Sequence, residues 1–257
     1  MLIRRILILL LALTLALPGY AAVSKTGTPV GDHQPLVSDW ETLDITFTAP
    51  ADCTLLLVSL SAPAKDDQLT GIAWDPDVEN EALALIDQTT NGGLDGDVVL
   101  DTWGLVSPTA KAAKVTLTAS AATMATTTTT VVCYTGTVVS SLGDATNFIS
   151  EDVDDGSEAT LVMASGGSAG NLLYVVGAGN GANQTSDYNM DGSWVEVILE
   201  NTADGSGETL QKVADVAAPS GITMTRAQGQ NAEQAGHIIE IVAAVSTDDS
   251  TLRRRRE

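Results

Sequence analysis

Asp187, Asn189 and Asp191 stand two residues apart in the run DYNMDG, which ends at Gly192. The pattern D-x-[DN]-x-[DN]-G begins a cation-binding loop. Its alternate side chains turn three oxygens toward one point, and glycine permits the sharp bend. Calcium takes six to eight oxygens, so the shell needs more donors. Glu196, main-chain carbonyls, water or the acidic stretch around Asp154 are the candidates. Ile198 stands where an EF-hand has its closing glutamate, and no flanking helices are read, so an EF-hand is excluded. The competing reading is an Asx-rich loop, in which Asp and Asn hold turns without a metal.

The only two cysteines are Cys53 and Cys133. An exported chain favours their pairing, and two buried thiols are the alternative. Four tryptophans, Trp40, Trp74, Trp103 and Trp194, offer flat faces for sugars. Trp103 and Trp194 sit inside strand patterns and read as core. Trp74 and Trp40 flank loops, which makes Trp74 the candidate ligand-binding residue.

Nucleophilic and nucleotide chemistry find no support. Residues 166–170 fit G-x-S-x-G, but a strand follows where a nucleophile elbow needs a helix. The only histidines, His33 and His237, lie far off, and the segment reads as a hairpin loop. Residues 177–182 fit the loose G-x-G-x-x-[GA], yet NQTSDYNMDGSW cannot open a phosphate-binding helix. Acidic pairs such as Asp75 and Asp77, Asp95 and Asp97, or Asp154 and Asp155 are too many for any one to single out a glycosidase.

The elements that must carry these residues follow a short apolar leader. Residues 1–22 combine Arg4 and Arg5, an apolar run from Ile6 to Leu17 and small residues. This is the form of a secretory signal, with cleavage expected after Ala21. The run is short for a membrane anchor, no later run is long enough to span a bilayer, and no cysteine follows for lipidation. The mature chain is therefore expected outside the cytoplasm. Its formal net charge is -21. The body is more acidic still, because basic residues gather in the leader and in Arg253 to Arg256. Such a field repels nucleic acid and anionic membranes. The basic tail reads as a solvated end, or as a segment docking on the acidic body of a neighbouring copy.

Between the ends, period-two patterning dominates. Residues 97–120, DVVLDTWGLVSPTAKAAKVTLTAS, read as two strands joined as a hairpin. TLLLVSLS (54–61) is apolar on both faces and reads as a central strand. Further strands are expected at 43–48, 69–74, 126–134, 160–164, 172–178, 194–200, 211–214, 222–226 and 238–245. Residues 82–86 are ambiguous, 146–149 are weak, and 179–193 read as an irregular loop. No long amphipathic helix and no repeat at a fixed period is found. The organisation expected is a signal peptide at 1–22, an extended leader at 23–42, an all-β antiparallel two-sheet sandwich at 43–245, and a disordered basic tail at 246–257.

The order TLLLVSLSA, LTGIAWD, VVLDTWGLVSPTAKAAKVTLTAS, VVCYTGT, NLLYVVGAG, HIIEIVAAV resembles a recurrent β-sandwich domain of secreted bacterial and phage surface proteins. Trp103, Leu105 and Pro108 match its W-x-L-x-x-P strand and turn, and Tyr134, Thr135 and Gly136 its Y-T/S-G strand. Thr137 and Trp74-Asp75 depart from it. The resemblance implies a jelly-roll-like binding or decoration module with no defined activity. The function expected is a secreted, non-catalytic surface or adhesion module that self-assembles or decorates a surface. A polysaccharide-binding module is the alternative, and a secreted hydrolase using acidic residues the rival from another class.

Overall fold

Strands follow where the period of two said they should, and their pairing has an order the sequence did not disclose. The computed structural model describes residues 23–34, 40–63, 69–90, 98–120, 127–137, 148–153, 158–166, 171–180, 189–191, 194–200, 209–217, 220–227 and 233–244. Among these the chain is all-β, and every strand pairing is antiparallel. No helix among them is long and apolar enough to cross a membrane.

The first nine strands are β1 (Ser24–Gln34), β2 (Thr42–Thr48), β3 (Leu55–Pro63), β4 (Leu69–Trp74), β5 (Glu81–Ala82), β6 (Ala84–Thr90), β7 (Val98–Val106), β8 (Ala112–Ala119) and β9 (Thr127–Thr135). They form one sheet in the order β1-β9-β3-β7-β6 and a second in the order β2-β8-β4-β5. The remaining strands are β10 (Phe148–Val153), β11 (Glu158–Gly166), β12 (Leu172–Asn180), β13 (Asn189–Asp191), β14 (Trp194–Glu200), β15 (Thr209–Ala217), β16 (Ser220–Ala227) and β17 (Glu233–Ile241). These pair as β10-β17-β12-β15-β14 and β11-β16-β13.

Apart from β5, which has no counterpart among the described residues, the two lists correspond. If β1, β2, β3 and β4 are matched with β10, β11, β12 and β13, β6 with β14, and β7, β8 and β9 with β15, β16 and β17, each sheet of the first half maps onto one of the second. The irregularities repeat as well. The β6–β7 ladder slips between Leu85 and Asp87, and the β14–β15 ladder slips at the equivalent place, between Glu196 and Ile198. Register aligns Val115, Thr116, Leu117 and Thr118 of β8 with Ile222, Thr223, Met224 and Thr225 of β16. The chain thus contains one strand plan twice. The five-stranded sheets stack with β12 over β3, β15 over β9, β17 over β7, β14 over β1 and β10 over β6. Exchanging the halves reproduces this arrangement, as a two-fold axis through β3 and β12 would. The chain ends beyond β9 and β17 also meet, in a bridge between Thr137 and Ala243.

This stacking explains why β3 is apolar on both faces. Leu56, Val58, Leu60 and Ala62 join a core with Phe47, Ile72, Trp74, Val115 and Leu117, between the two sheets of the first half. Leu55 and Leu57 join Leu100, Val132, Tyr134, Tyr174, Val176, Ile239 and Ile241, between the halves. Burying one such side chain is worth ~2 kcal/mol, and a one-residue slip would exchange the faces, so register is fixed from both sides. By contrast β2 has only Ile45 and Phe47 buried and alternates cleanly.

Several expectations change. Residues 97–120 are not a hairpin: β7 and β8 lie in different sheets, and the chain crosses between them through Ser107, which has φ 52°, and Pro108. β11 and β12, also read as joined by a hairpin loop, lie in different sheets too. Within the expected leader, Ser24–Gln34 is a strand on β9. The ambiguous 82–86 falls in β5 and β6, one segment contributing to both sheets around Leu83. Part of the loop at 179–193 forms β13, and the last strand begins at Glu233. The described residues make four sheets where two were expected. The signal and tail lie outside the described residues.

Candidate functional site

The face of the first half that meets the second is apolar at one end and polar at the other. Register places Thr102, Ser59 and Thr130 in one row across β7, β3 and β9, and Leu100, Ser61 and Thr128 in the next. Asp87 and Thr89 on β6 extend these rows on one side, and His33 on β1 extends the second on the other. Ser59, Ser61, Thr102, Thr128 and Thr130 are all buried. Desolvated hydroxyls cost free energy unless bonded, so their partners matter.

Ser61 Oγ donates to the Thr128 carbonyl at 3.4 Å and Thr128 Oγ1 lies 3.0 Å from His33 Nδ1, both within the first half, whereas Ser59 and Thr102 find partners in the second. Tyr174 of β12 places its hydroxyl 2.6 Å from Ser59 Oγ, and Ser59 Oγ lies 3.1 Å from Thr102 Oγ1. Thr102 Oγ1 is 2.9 Å from His237 Nδ1, and the other ring nitrogen, Nε2, is 2.9 Å from Thr89 Oγ1. Asp87 Oδ2 lies 3.6 Å from the same Nε2. A neutral imidazole has one N–H and one lone pair. The carboxylate beside Nε2 favours the proton there, so Nε2–H donates to Thr89 while Nδ1 accepts from Thr102. The hydroxyls then run one way: Tyr174 donates to Ser59, Ser59 to Thr102, Thr102 to His237. Burial holds the His237 pKa down, from 6.5 to about 4, against an opposing pull from Asp87. The ring is neutral at pH 7.

A serine, a histidine and an aspartate thus share one network. Its order differs from a nucleophile triad, because Thr102 stands between Ser59 and His237. Ser59, Thr102, Tyr174 and His237 are all 0% exposed. What the arrangement does chemically is join strands of both halves through one chain of hydrogen bonds.

Each half also carries a fastening at one equivalent place, between the start of its central strand and the strand beside it. In the first, Cys53 and Cys133 form a disulfide with Cα atoms 5.6 Å apart. Register matches Cys133 of β9 with Glu240 of β17. Glu240 accepts a bond from Asn171 Nδ2, and Asn171 Oδ1 accepts from Ala243 N at 2.9 Å. A covalent staple in one copy is a buried polar bond in the other.

Trp74 is in the core, 0% exposed. Its ring meets Phe47 edge-on at 6.1 Å, and its Nε1 donates to the Thr109 carbonyl at 3.1 Å. Trp40 is buried in the same core. The exposure expected of both is corrected: β4 turns Trp74 inward with Ile72. The loop after Trp74 bends away at Asp75. That loop is held by Asp75, whose carbonyl accepts from Val78, Glu79 and Asn80 and whose carboxylate pairs with Lys111. The bond from Lys111 lowers the Asp75 pKa.

Asp187 lies outside the described residues. Asn189 and Asp191 are the two ends of β13, and their side chains are outside what is described. Among the described residues no three His, Cys, Asp or Glu side chains gather as metal ligands. Sequence reasoning missed Ser59, Thr89, Thr102, Tyr174 and Asn171. The available signal was a polar residue in an apolar strand, as in LLLVSLSA and HIIEIV.

Compared with known proteins, the chain matches no family model and no curated protein sequence.

Proposed function

We propose that the chain is an exported, non-catalytic structural or adhesion module, built as two jelly-roll-like β-sandwiches packed face to face, which assembles with its own copies or decorates an extracellular surface. The observation that carries this reading is where the chain puts its reactive and polar groups. Cys53–Cys133 and Asn171–Glu240 each tie the start of a central strand to its neighbour in the same sheet, and the Tyr174-to-His237 chain joins the two stacked sheets, so all of them hold the fold together. The jelly-roll reading draws support from the strand order: sheets β1-β9-β3-β7-β6 and β2-β8-β4-β5 exchange the chain at β1–β2, β2–β3, β3–β4, β5–β6, β7–β8 and β8–β9. The apolar leader at 1–22 and the disulfide suit an oxidising compartment.

Edge strands β1 and β6 each carry a register shift, and β1 also carries Pro29. Bulges and proline blunt an edge against strand addition. Assembly is therefore expected through outer faces, such as that of β2-β8-β4-β5. Electron microscopy of the mature chain, alone and with cell-wall fractions, tests the proposal: ordered polymers or surface decoration are expected. A catalytic turnover abolished by one Asp or Glu substitution that leaves the fold intact would overturn it. The calcium site at Asp187, Asn189 and Asp191 is part of the same proposal. Millimolar calcium should raise the melting temperature, and Asp187→Ala with Asp191→Ala should cancel the rise.

A further inference from the structure

We propose that His237 is an acid-labile clasp between the two halves, which part along the contact of β17 with β6 and β7 when the imidazole takes up a second proton, while each half keeps its own core.

The geometry makes protonation costly in the closed contact. His237 belongs to the second half, and both of its ring nitrogens are bonded to the first, through Thr102 and Thr89. An imidazolium has two N–H donors and no lone pair. Thr102 must then accept where it donated, and its own proton must turn elsewhere. Ser59 and Tyr174 must reverse in the same way, inside a contact where all four residues are 0% exposed. The alternative is to separate the halves and hydrate the cation.

The charges around the ring give little relief. On β6 the one carboxylate facing it is Asp87, 3.6 Å from Nε2. On β7 Thr102 faces it, while Asp101 alternates to the opposite side, in register with Leu60. On β12 its register partner is Val176. On β10 the partner is Ser150, and the carboxylates Glu151 and Asp152 pair with Gly236 and Ala235. The halves also differ here. Register puts Thr130 of β9 where β17 has His237, so the clasp stands on one side of the axis only.

The titration agrees in sign. The closed-state pKa of about 4 lies below the ordinary 6.5, so the clasp is fully effective above pH 6.5 and weakens as pH falls toward 4. The open state gains about tenfold per pH unit in the middle of that window and less at its ends, roughly 80-fold in all between pH 6.5 and 4.

Hydroxyl-radical footprinting of side chains in the full chain, normalised to a free reporter at each pH, tests this. Between pH 6.5 and 4, labelling of Tyr134 and Tyr174, which lie between the halves, is expected to rise by up to roughly 80-fold, while Phe47 and Trp74, in the first half's own core, stay protected. His237→Gln, which bonds but does not titrate, should abolish most of the rise. Asp87→Asn removes the counter-charge of the imidazolium and should leave the rise as large or larger, which keeps the proposal testable if His237→Gln does not fold. A rise of equal size in His237→Gln, a smaller rise in Asp87→Asn, or labelling that rises equally at Phe47 and Trp74 would each overturn the proposal.

Discussion

Removing the Cys53–Cys133 bridge should destabilise one half of the chain and spare the other. The bridge closes a loop of sequence separation 80, from the turn before β3 to the middle of β9. That loop holds β3 to β8 in full, so in the reduced unfolded chain those strands regain freedom that the bridge denies them. In the chain-entropy account a loop of this length contributes ~4 kcal/mol. Both cysteines are buried in the core with Phe47, Leu56 and Val131, so Cys53→Ala with Cys133→Ala also removes packed sulfur, at a further cost of ~1 kcal/mol. At about 2–4 °C per kcal/mol for a chain of this size, melting should fall by roughly 10–20 °C. Calorimetry of the oxidised chain and the double variant, with hydrogen exchange to localise the change, is the assay. Exchange should rise in β2 to β9, while β12 and β17, fastened by Asn171 and Glu240, retain protection at pH 7. A loss below about 1 kcal/mol would refute the loop-closure reasoning, because the closed loop would then be constrained by something other than the bridge. Loss of protection centred on β12 and β17 would refute the claim that the halves are fastened separately.

Three further outcomes follow from the packing. Asn171→Ala should cost about 2–3 kcal/mol in chemical denaturation, since it removes the bond given to the buried Glu240 carboxylate and the one taken from the Ala243 amide; a cost under 0.5 kcal/mol would show that water replaces them. Trp74→Ala should cost roughly 3–5 kcal/mol and leave polysaccharide retention, if any, unchanged in material that stays folded; loss of retention with stability intact would restore the sugar-platform reading. Gly27→Ala should destabilise, because Gly27 has φ +72° and an added Cβ would meet Pro50 at 3.2 Å; a neutral melting temperature would mean that β1 relaxes around the substitution.

Residue order alone determined most of the strands, though not β1 or β13. It made 54–61 a central strand because that run is apolar at both parities, and KVTLTAS a one-sided strand because it alternates. Such patterns are local, set by the period of two and by whether one face or both must leave water. What the strands pair with is not local. The turn through Ser107 and Pro108 is as short as a hairpin turn, and only packing decides that β8 crosses to the opposite sheet and joins β2 and β4. The duplication was hidden for a related reason. Loop lengths differ between the copies, so the spacing from Leu55 to Leu172 is longer than that from Val115 to Ile222, and no fixed period survives. Packing preserves only apolar or β-branched character at each matched position. Cys133 and Glu240 do the same work with unrelated chemistry. His237 was visible as one of two histidines, but its role was not, since the residues that give it one, Thr89, Thr102 and Asp87, belong to the other copy and meet it only when the halves stack.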